Sequence, residues 1–196
     1  MASRTLDIYD LKTLADATAK TRPSSGDEFV TIEPWQRRES SLKFQTRAVA
    51  CMPNDQGYAS SSIEGRVAVE WFDSAADIQA KKYAFKCHRQ PASDGSAMDI
   101  VYPVNALAFH PIHGTFASGG GDGFVAVWDG ITKRRIRYYQ RYPSGIAALD
   151  FSSDGKLLVV AVSPGFVNDK EEEGPGVVKI FIRELSESET RPKAAK

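Results

Sequence analysis

The stretch TFASGGGDGFVAVWDG, residues 115–130, decides the fold of this chain. Asp122 and Gly123 supply the positive φ angles of a two-residue hairpin turn, and apolar residues alternate with period two on either side of it. The stretch therefore predicts two short antiparallel strands, the second ending in Trp128 and Asp129. A two-stranded hairpin is not stable alone, so its apolar face needs a neighbouring sheet.

The same pattern recurs along the chain. SSSIEGRVAVEWFD (60–73) aligns with it, GPGVVKIFIRE (174–184) gives another copy, and LDIYDL (6–11) matches the end of a further one. An apolar strand precedes each hairpin and a candidate outer strand follows it, which makes four short strands per unit, as in a β-propeller blade. The candidate inner strands are RAVACMPN (47–54), PVNALAFHP (103–111) and GIAALDFSSDG (145–155), and the outer ones WQRRESSLKFQ (35–45), YAFKCHR (83–89) and RIRYYQRYP (135–143).

These repeats predict an all-β protein, a partial WD-repeat β-propeller of about three and a half blades. The hairpin glycines are spaced more widely than the roughly 40–45 residues of a plain WD repeat, so the excess lies in loops. Because no strand precedes the copy at 6–11, we expect a missing amino-terminal half-propeller to be needed for ring closure. The predicted units are 1–45, a blade remnant with a flexible loop inserted at 13–34; 46–90 and 102–143, two blades; 144–184, the last blade with an acidic loop at 162–176; and 185–196, a disordered tail.

The composition is that of an ordinary globular protein. With 196 residues and a formal net charge of zero, the chain gives no electrostatic reason to expect nucleic acid or a membrane surface as its main partner. No signal peptide or spanning helix is visible. The two cysteines, Cys51 and Cys87, lie in separate predicted strands, and we expect buried free thiols in a reduced, intracellular location.

Signatures of catalysis are weak. The glycine run 119–121 precedes a hairpin rather than a helix, so it predicts a turn and not a phosphate-binding loop. His110 and His113 have ligand-like spacing but lack a third ligand, and Cys87 and His88 would point to opposite faces of one strand. The sequence therefore predicts no enzyme activity, no cofactor and no metal.

Four segments carry a family resemblance: 40–73, 81–89, 102–129 and 141–155. They resemble the carboxy-terminal half of the mitotic spindle-checkpoint WD-repeat proteins of the budding-uninhibited-by-benzimidazole group, and the likeness covers nearly all of 35–192. The sister family, the messenger-RNA export factors that dock on a nucleoporin, shares the GRVA, FKCHR and FHPIHGT elements. The resemblance implies a seven-bladed ring, of which this chain would form the later blades.

The resemblance also implies a function. Members of the checkpoint family are non-enzymatic scaffolds that hold the GLEBS motifs of checkpoint kinases across the top of the propeller and recognise phosphorylated Met-Glu-Leu-Thr repeats of the kinetochore scaffold. It implies a location in the nucleus and at the kinetochore, with a possible cytoplasmic pool. The alternative is a nuclear mRNA-export factor that binds a nucleoporin GLEBS segment. Contacts with ubiquitin or RNA stay open.

Four residues are carried over as candidates for partner binding. Arg66, directly after the hairpin glycine of GRVAVE, could fork onto a carboxylate of the bound motif, and Asp99 matches an acidic family residue that meets basic side chains. Lys86 and Arg89 are the candidates for phosphothreonine. In one regular strand they would face opposite ways, so we expect only Lys86 to reach the ligand. The alternatives are an ordinary surface arginine, a solvated carboxylate and edge-strand charges that oppose aggregation.

The remaining conspicuous residues are predicted to be structural. Asp122 and Gly123 form the hairpin turn. The indole of Trp128 and the carboxylate of Asp129 are expected to hold one blade together through a buried hydrogen-bond network, with Ser118 as a possible member.

Overall fold

The computed structural model describes residues 4–20, 31–93, 95–164 and 177–192. Fifteen strands and three helices lie in these ranges. The strands are β1 (Thr5–Ile8), β2 (Gln36–Glu39), β3 (Thr46–Cys51), β4 (Gly57–Ser62), β5 (Arg66–Trp71), β6 (Tyr83–Lys86), β7 (Arg89–Pro91), β8 (Asp99–Val101), β9 (Val104–Phe109), β10 (Phe116–Gly120), β11 (Val125–Asp129), β12 (Arg134–Tyr138), β13 (Ile146–Phe151), β14 (Leu157–Val162) and β15 (Lys179–Glu184). The helices are α1 (Leu11–Lys20), α2 (Ala76–Gln79) and α3 (Glu187–Thr190).

The strands form antiparallel sheets in chain order. Strands β3–β6 make one four-stranded sheet, here the first full blade, and β9–β12 make another, the second full blade. Strands β13–β15 form a three-stranded sheet, while β1 pairs with β2 and β7 with β8. The predicted all-β blade architecture is confirmed.

The two full blades have hairpins of the same design. Gly65, between β4 and β5, has a φ of +64°, and Gly123, between β10 and β11, has a φ of +78°. The predicted two-residue turn with positive φ at both Asp122 and Gly123 is wrong, because residues 121–124 separate the two strands and of this pair only the glycine has a positive φ. After each turn the apolar residues are fully buried, as in Val67 and Val125. Local turn chemistry and period-two patterning therefore place both hairpins in the same register relative to their turns.

The core lies between neighbouring sheets. One cluster joins the first full blade to the second and includes Val69, Leu107 and Phe116, and another joins the second full blade to β13–β15 and includes Val127 and Leu158. The innermost strands β3, β9 and β13 lie side by side. Each sheet thus buries apolar residues against the next, which is how propeller blades stabilise one another.

The last strand presents a bare apolar side. Ile180 and Ile182 are 72% and 69% exposed, whereas Phe181 between them packs against the second cluster. Alternate residues of a strand point to opposite faces, so one face of β15 is covered and the other is open. Among the described residues, no helix has the length and apolar content to cross a bilayer.

The prediction of a flexible loop at 13–34 is wrong for residues 13–20, which belong to α1. Asp10 begins this helix, because its carboxylate accepts the Thr13 backbone N–H at 2.7 Å and the Thr13 hydroxyl at 2.8 Å. These hydrogen bonds lower the pKa of Asp10 below 3.8. An N-cap aspartate followed by an alanine-rich segment favours a helix. Residues 21–30 lie outside the described part.

The disordered tail predicted at 185–196 is also wrong for residues 185–192. Ser186 and Glu189 form a capping box at the start of α3. Thr190 is buried, its carbonyl oxygen accepts the Thr115 hydroxyl at 2.7 Å, and its own hydroxyl lies 3.0 Å from Nδ1 of His113. These contacts anchor the segment to the second full blade. Most of the predicted acidic loop, from residue 165 onward, and residues 193–196 lie outside the described residues.

Candidate partner-binding site

Arg66 and Lys86 are cross-strand neighbours at one end of the first full blade. Arg66 begins β5, Lys86 ends β6, and the two residues are directly paired in the sheet register. Lys86 is exposed and the side chain of Arg66 is 34% exposed. Directly opposed side chains of an antiparallel pair have Cβ atoms about 5 Å apart, so two positive charges share one small surface.

Glu64 offsets part of this charge. Its carboxylate oxygen Oε1 lies 3.3 Å from Nε of Arg66. Within the described part of the chain, the Lys86 side chain takes part in no hydrogen bond or ion pair. The pair therefore retains an unneutralised ammonium group that an incoming anion can reach.

Arg89 lies beside this pair but is used differently. The chain bends at His88, whose φ is +48°, so Arg89 begins β7 and does not continue the strand of Lys86. Its Nη2 donates to the Glu64 carbonyl oxygen at 2.8 Å, and its Nε is buried without a partner among the described residues. The prediction that Lys86 and Arg89 occupy one regular strand is wrong, because the left-handed residue between them ends it. We call Arg66, Lys86 and Arg89 the cationic rim.

Asp99 lies on the hairpin next to the cationic rim. It begins β8 opposite Pro91 and is exposed, and Met98 and Ile100 beside it are exposed as well. The base of this hairpin contacts the β4–β5 turn, since a Cβ added to Gly65 would lie 3.0 Å from a methyl group of Val101. An acidic and apolar hairpin thus lies next to a cationic rim, an arrangement that fits a peptide of mixed charge.

A buried hydrogen-bond chain runs through the second full blade. The Trp128 indole N–H donates to the Ser118 hydroxyl at 2.8 Å, Ser118 Oγ lies 2.9 Å from Nε2 of His88, and His88 Nδ1 lies 2.9 Å from the Asp122 carboxylate. The His88 and Asp122 side chains are each 1% exposed. Gly120 leaves room for the His88 ring, because a Cβ at this position would lie 2.3 Å from His88 Nδ1. Asp122 and Trp128 are therefore both members of this hydrogen-bond chain.

The hydrogen-bonded arrangement of Asp122, His88 and Ser118 resembles the catalytic triad of a hydrolase, but Ser118 is not placed to act as a nucleophile. Ser118 is completely buried, and its oxygen is already bound to the indole of Trp128. A nucleophile must reach a substrate, and this hydroxyl faces the interior of a blade. The arrangement holds the linker before β9 onto the sheet.

Asp129 does not belong to this chain, contrary to prediction. Its carboxylate accepts the backbone N–H groups of Ile131 and Thr132 at 2.9 and 3.2 Å and the Thr132 hydroxyl at 2.6 Å. It closes the turn between β11 and β12 instead. His88, which supplies the missing link, was not predicted as structural. The signal for it was a histidine in the linker immediately before a blade whose SGGGD segment holds both Ser118 and Asp122.

The histidines and cysteines that could bind a metal do not form a metal site among the described residues. The rings of His110 and His113 stack at 4.4 Å, and His110 Nε2 donates to the Gly155 carbonyl at 3.0 Å. No group of three or more metal-binding side chains occurs among the described residues. The expectation of two buried thiols is wrong for Cys51, which is exposed on β3, while burial raises the pKa of Cys87 to about 12.

Comparison with known proteins agrees with the repeat pattern. The family model of the WD domain, G-beta repeat, matches residues 101–129. The chain is 50% identical over 192 residues to mitotic checkpoint protein BUB3.1 of Arabidopsis thaliana, covering 98% of this chain and 50% of that protein. It is 43% identical to mitotic checkpoint protein bub3 of Dictyostelium discoideum over 86% of this chain and 52% of that one. Protein RAE1 of Arabidopsis thaliana is 38% identical over 81% of this chain and 44% of its own length. The chain spans about half the length of the checkpoint relatives that it matches.

Proposed function

Since this chain is a relative of the BUB3 mitotic checkpoint proteins, with the RAE1-type export factors as the sister family, we propose that it is a non-enzymatic WD-repeat scaffold of the spindle assembly checkpoint. Its partners in this proposal are GLEBS motifs of checkpoint kinases and phosphorylated Met-Glu-Leu-Thr repeats of the kinetochore. It acts in the nucleus and at the kinetochore. A further half-propeller, which completes the ring, is part of the same proposal.

The observation that carries the proposal is the cross-strand pair Arg66 and Lys86. Arg66 can fork onto a carboxylate or phosphate, although Glu64 competes for it, and Lys86 supplies a point charge. A phosphothreonine carries a charge of about −1.5 to −2 and needs more than one cation. Arg66 and Lys86 supply two adjacent cations, and Glu64 reduces the net charge of the three side chains to +1.

The two other candidates take narrower roles. Arg89 is committed to the Glu64 carbonyl oxygen, so it fixes the turn that presents Arg66 and contacts the peptide less directly. Asp99, exposed on β8 next to Ile100, is placed to meet a basic side chain of a GLEBS segment. The proposal therefore assigns anion binding to Arg66 and Lys86 and cation binding to Asp99.

Binding of synthetic peptides to the full chain tests the proposal. We expect Lys86→Ala to weaken binding of a phosphorylated Met-Glu-Leu-Thr peptide about 10- to 100-fold, as for loss of one charge-assisted contact. Arg66→Ala should weaken a kinase GLEBS peptide similarly. Lys82→Ala, an exposed lysine just before the same strand, is the matched control and should change neither affinity. Equal affinities for wild-type and Lys86→Ala protein would remove the phosphopeptide from the proposal.

The alternative is an mRNA-export role, which the 38% identity to RAE1 favours. It predicts that a nucleoporin GLEBS peptide displaces the kinase GLEBS peptide from the chain and that RNA copurifies with it. A competition titration with both peptides separates the two functions. Preference for the nucleoporin peptide would overturn the checkpoint proposal.

A further inference from the structure

A cavity of about 520 Å³ opens between the β1–β2 sheet and the first full blade. Trp71, which lines it, ends β5, whereas Arg66 of the cationic rim begins that strand. Five residues of extended strand span roughly 17 Å, so the cavity and the rim lie at opposite ends of the blade. None of the residues assigned to partner binding contributes to it.

Two aromatic rings form a corner of this cavity. The indole of Trp35 is 58% exposed and meets the ring of Phe72 edge to face, with centroids 6.1 Å apart and planes at 62°. Phe72 in turn stacks on Tyr58 at 5.6 Å. The ring of Trp35 thus keeps an open face beside a fixed neighbour, and open aromatic faces attract cations.

The corner is held in place from below. Gln36 Nε2 donates to the Phe72 carbonyl oxygen at 3.0 Å, and the guanidinium of Arg38 donates to the carbonyl oxygens of both Trp71 and Phe72. Arg38 Nε also donates to Oε1 of Gln36 at 2.7 Å. The backbone that carries Phe72 is therefore fixed before any ligand arrives, which reduces the entropy lost on binding.

The charges in the lining all have one sign. Among the described residues that line the cavity, the charged ones are Asp55 and Asp73. Both are exposed, and Oδ1 of Asp73 accepts the Ala75 backbone N–H at 2.9 Å. Arg38, the nearby cation, is bound to carbonyl oxygens and is not part of the lining. An aromatic corner with two carboxylates complements a positive group.

We propose that this cavity binds an arginine side chain presented by a segment of a partner protein. A guanidinium is planar, so it can stack on the free face of Trp35 while its N–H groups reach Asp55 or Asp73. The volume exceeds that of one side chain and leaves room for the flanking backbone beside Gln56 and Ile78. The occupant is thus an arginine-containing peptide, bound away from the cationic rim.

Short peptides test this directly. The probes are acetyl-Gly-Arg-Gly-amide and the same peptide with citrulline, which keeps the shape of arginine and removes its charge. The full chain is labelled with ¹⁵N, and the indole N–H signal of Trp35 is identified by its loss in Trp35→Phe. We expect the arginine peptide to shift this signal in a saturable way and the citrulline peptide to bind at least about fivefold more weakly. Equal shifts with both peptides, or no shift, would overturn the proposal.

Substitutions then locate the contacts. Asp55→Asn and Asp73→Asn should each weaken the arginine peptide about threefold, as for a partly exposed ion pair. The matched control is Asp154→Asn, an exposed aspartate in the β13–β14 turn, which should leave the affinity unchanged. A further arm uses acetyl-Gly-trimethyllysine-Gly-amide. If this peptide binds more tightly than the arginine peptide, the cavity recognises a quaternary ammonium and the assignment to arginine is wrong.

Discussion

Ser60 in the first full blade and Ser118 in the second occupy equivalent positions, each opposite an alanine in the sheet register and each completely buried. Ser118 Oγ is bound to both Trp128 and His88, whereas Ser60 Oγ has no partner among the described residues. Two blades with the same hairpin register therefore satisfy their interior polar side chains in different ways. The shared strand pattern determines the pairing of the strands but not the hydrogen bonds of the buried side chains.

The difference follows from the residue near the end of the second hairpin strand, away from the turn. The first full blade has Glu70 where the second has Trp128, and Glu70 accepts the Tyr58 phenol at 2.7 Å and the Ser41 hydroxyl. Burial, followed by the Glu70 contact, raises the pKa of Tyr58 well above 10. A carboxylate and a phenol thus link β4 to β5, and Ser41 ties the preceding linker to them. The second full blade does the same with an indole and an imidazole.

Replacing the indole should have the largest effect. Trp128→Ala removes both the hydrogen bond to Ser118 and the packing on Phe85, whose ring centroid lies 4.7 Å away. We expect the free energy of unfolding to fall by about 3–5 kcal/mol, measured by urea denaturation. Trp35→Ala is the control, since that indole is largely exposed and should change stability far less. Similar losses in the two variants would mean that the hydrogen-bond chain does not hold the second full blade together.

The equivalent serines give a sharper comparison with a smaller effect. Ser118→Ala leaves the Trp128 indole and His88 without their buried partner, so we expect a loss of about 1–3 kcal/mol in the free energy of unfolding. Ser60→Ala removes a hydroxyl that is buried without a partner, so stability should stay the same or rise. Urea denaturation of the two single variants measures both. An equal loss of unfolding free energy in Ser60→Ala and Ser118→Ala would show that the two serines contribute in the same way to their blades.

The sequence predicted what depends on neighbours along the chain. The turns at Gly65 and Gly123 and the strands around them follow from local rules of backbone conformation and periodicity. The cross-strand pairing of Arg66 and Lys86 also needs the register of β5 with β6, which are joined by the longer connection 72–82 and not by the turn at Gly65. The helix α1 was not predicted, because its N-cap Asp10 lies inside the strand motif LDIYDL.

The sequence could not predict contacts that depend on how a linker bends. His88 is 30 residues from Ser118 and 34 from Asp122, and it reaches them because its own φ is positive, which is uncommon for a residue other than glycine. Asp129 was assigned to the same network because of its place beside Trp128. Adjacent residues of a strand point to opposite faces, and Asp129 finds its partners in its own turn.

The same comparison predicts the smallest effect, a pH dependence confined to the second full blade. His110 occupies the β9–β10 turn, and the corresponding position in the β3–β4 turn of the first full blade is Met52. Burial lowers the pKa of His110 below 6.5, and its hydrogen bond to Gly155 opposes that change only in part. Nδ1 of the ring also accepts the His113 backbone N–H at 3.0 Å, which a proton on Nδ1 would oppose.

Because the native pKa of His110 lies below the unfolded value, the unfolded chain binds more protons between the two values. The stability that neutral His110 contributes is therefore complete above about pH 6.5 and is lost as the pH falls from there towards the native pKa. We expect the free energy of unfolding, measured by urea denaturation between pH 7.5 and 5, to fall more steeply in the wild type than in His110→Met, which places the residue of the first full blade in the second. The slopes are compared rather than the absolute values, because the variant also loses the Gly155 hydrogen bond at every pH. Parallel curves for the wild type and His110→Met would mean that His110 does not contribute to the pH dependence of the free energy of unfolding, which would contradict this prediction.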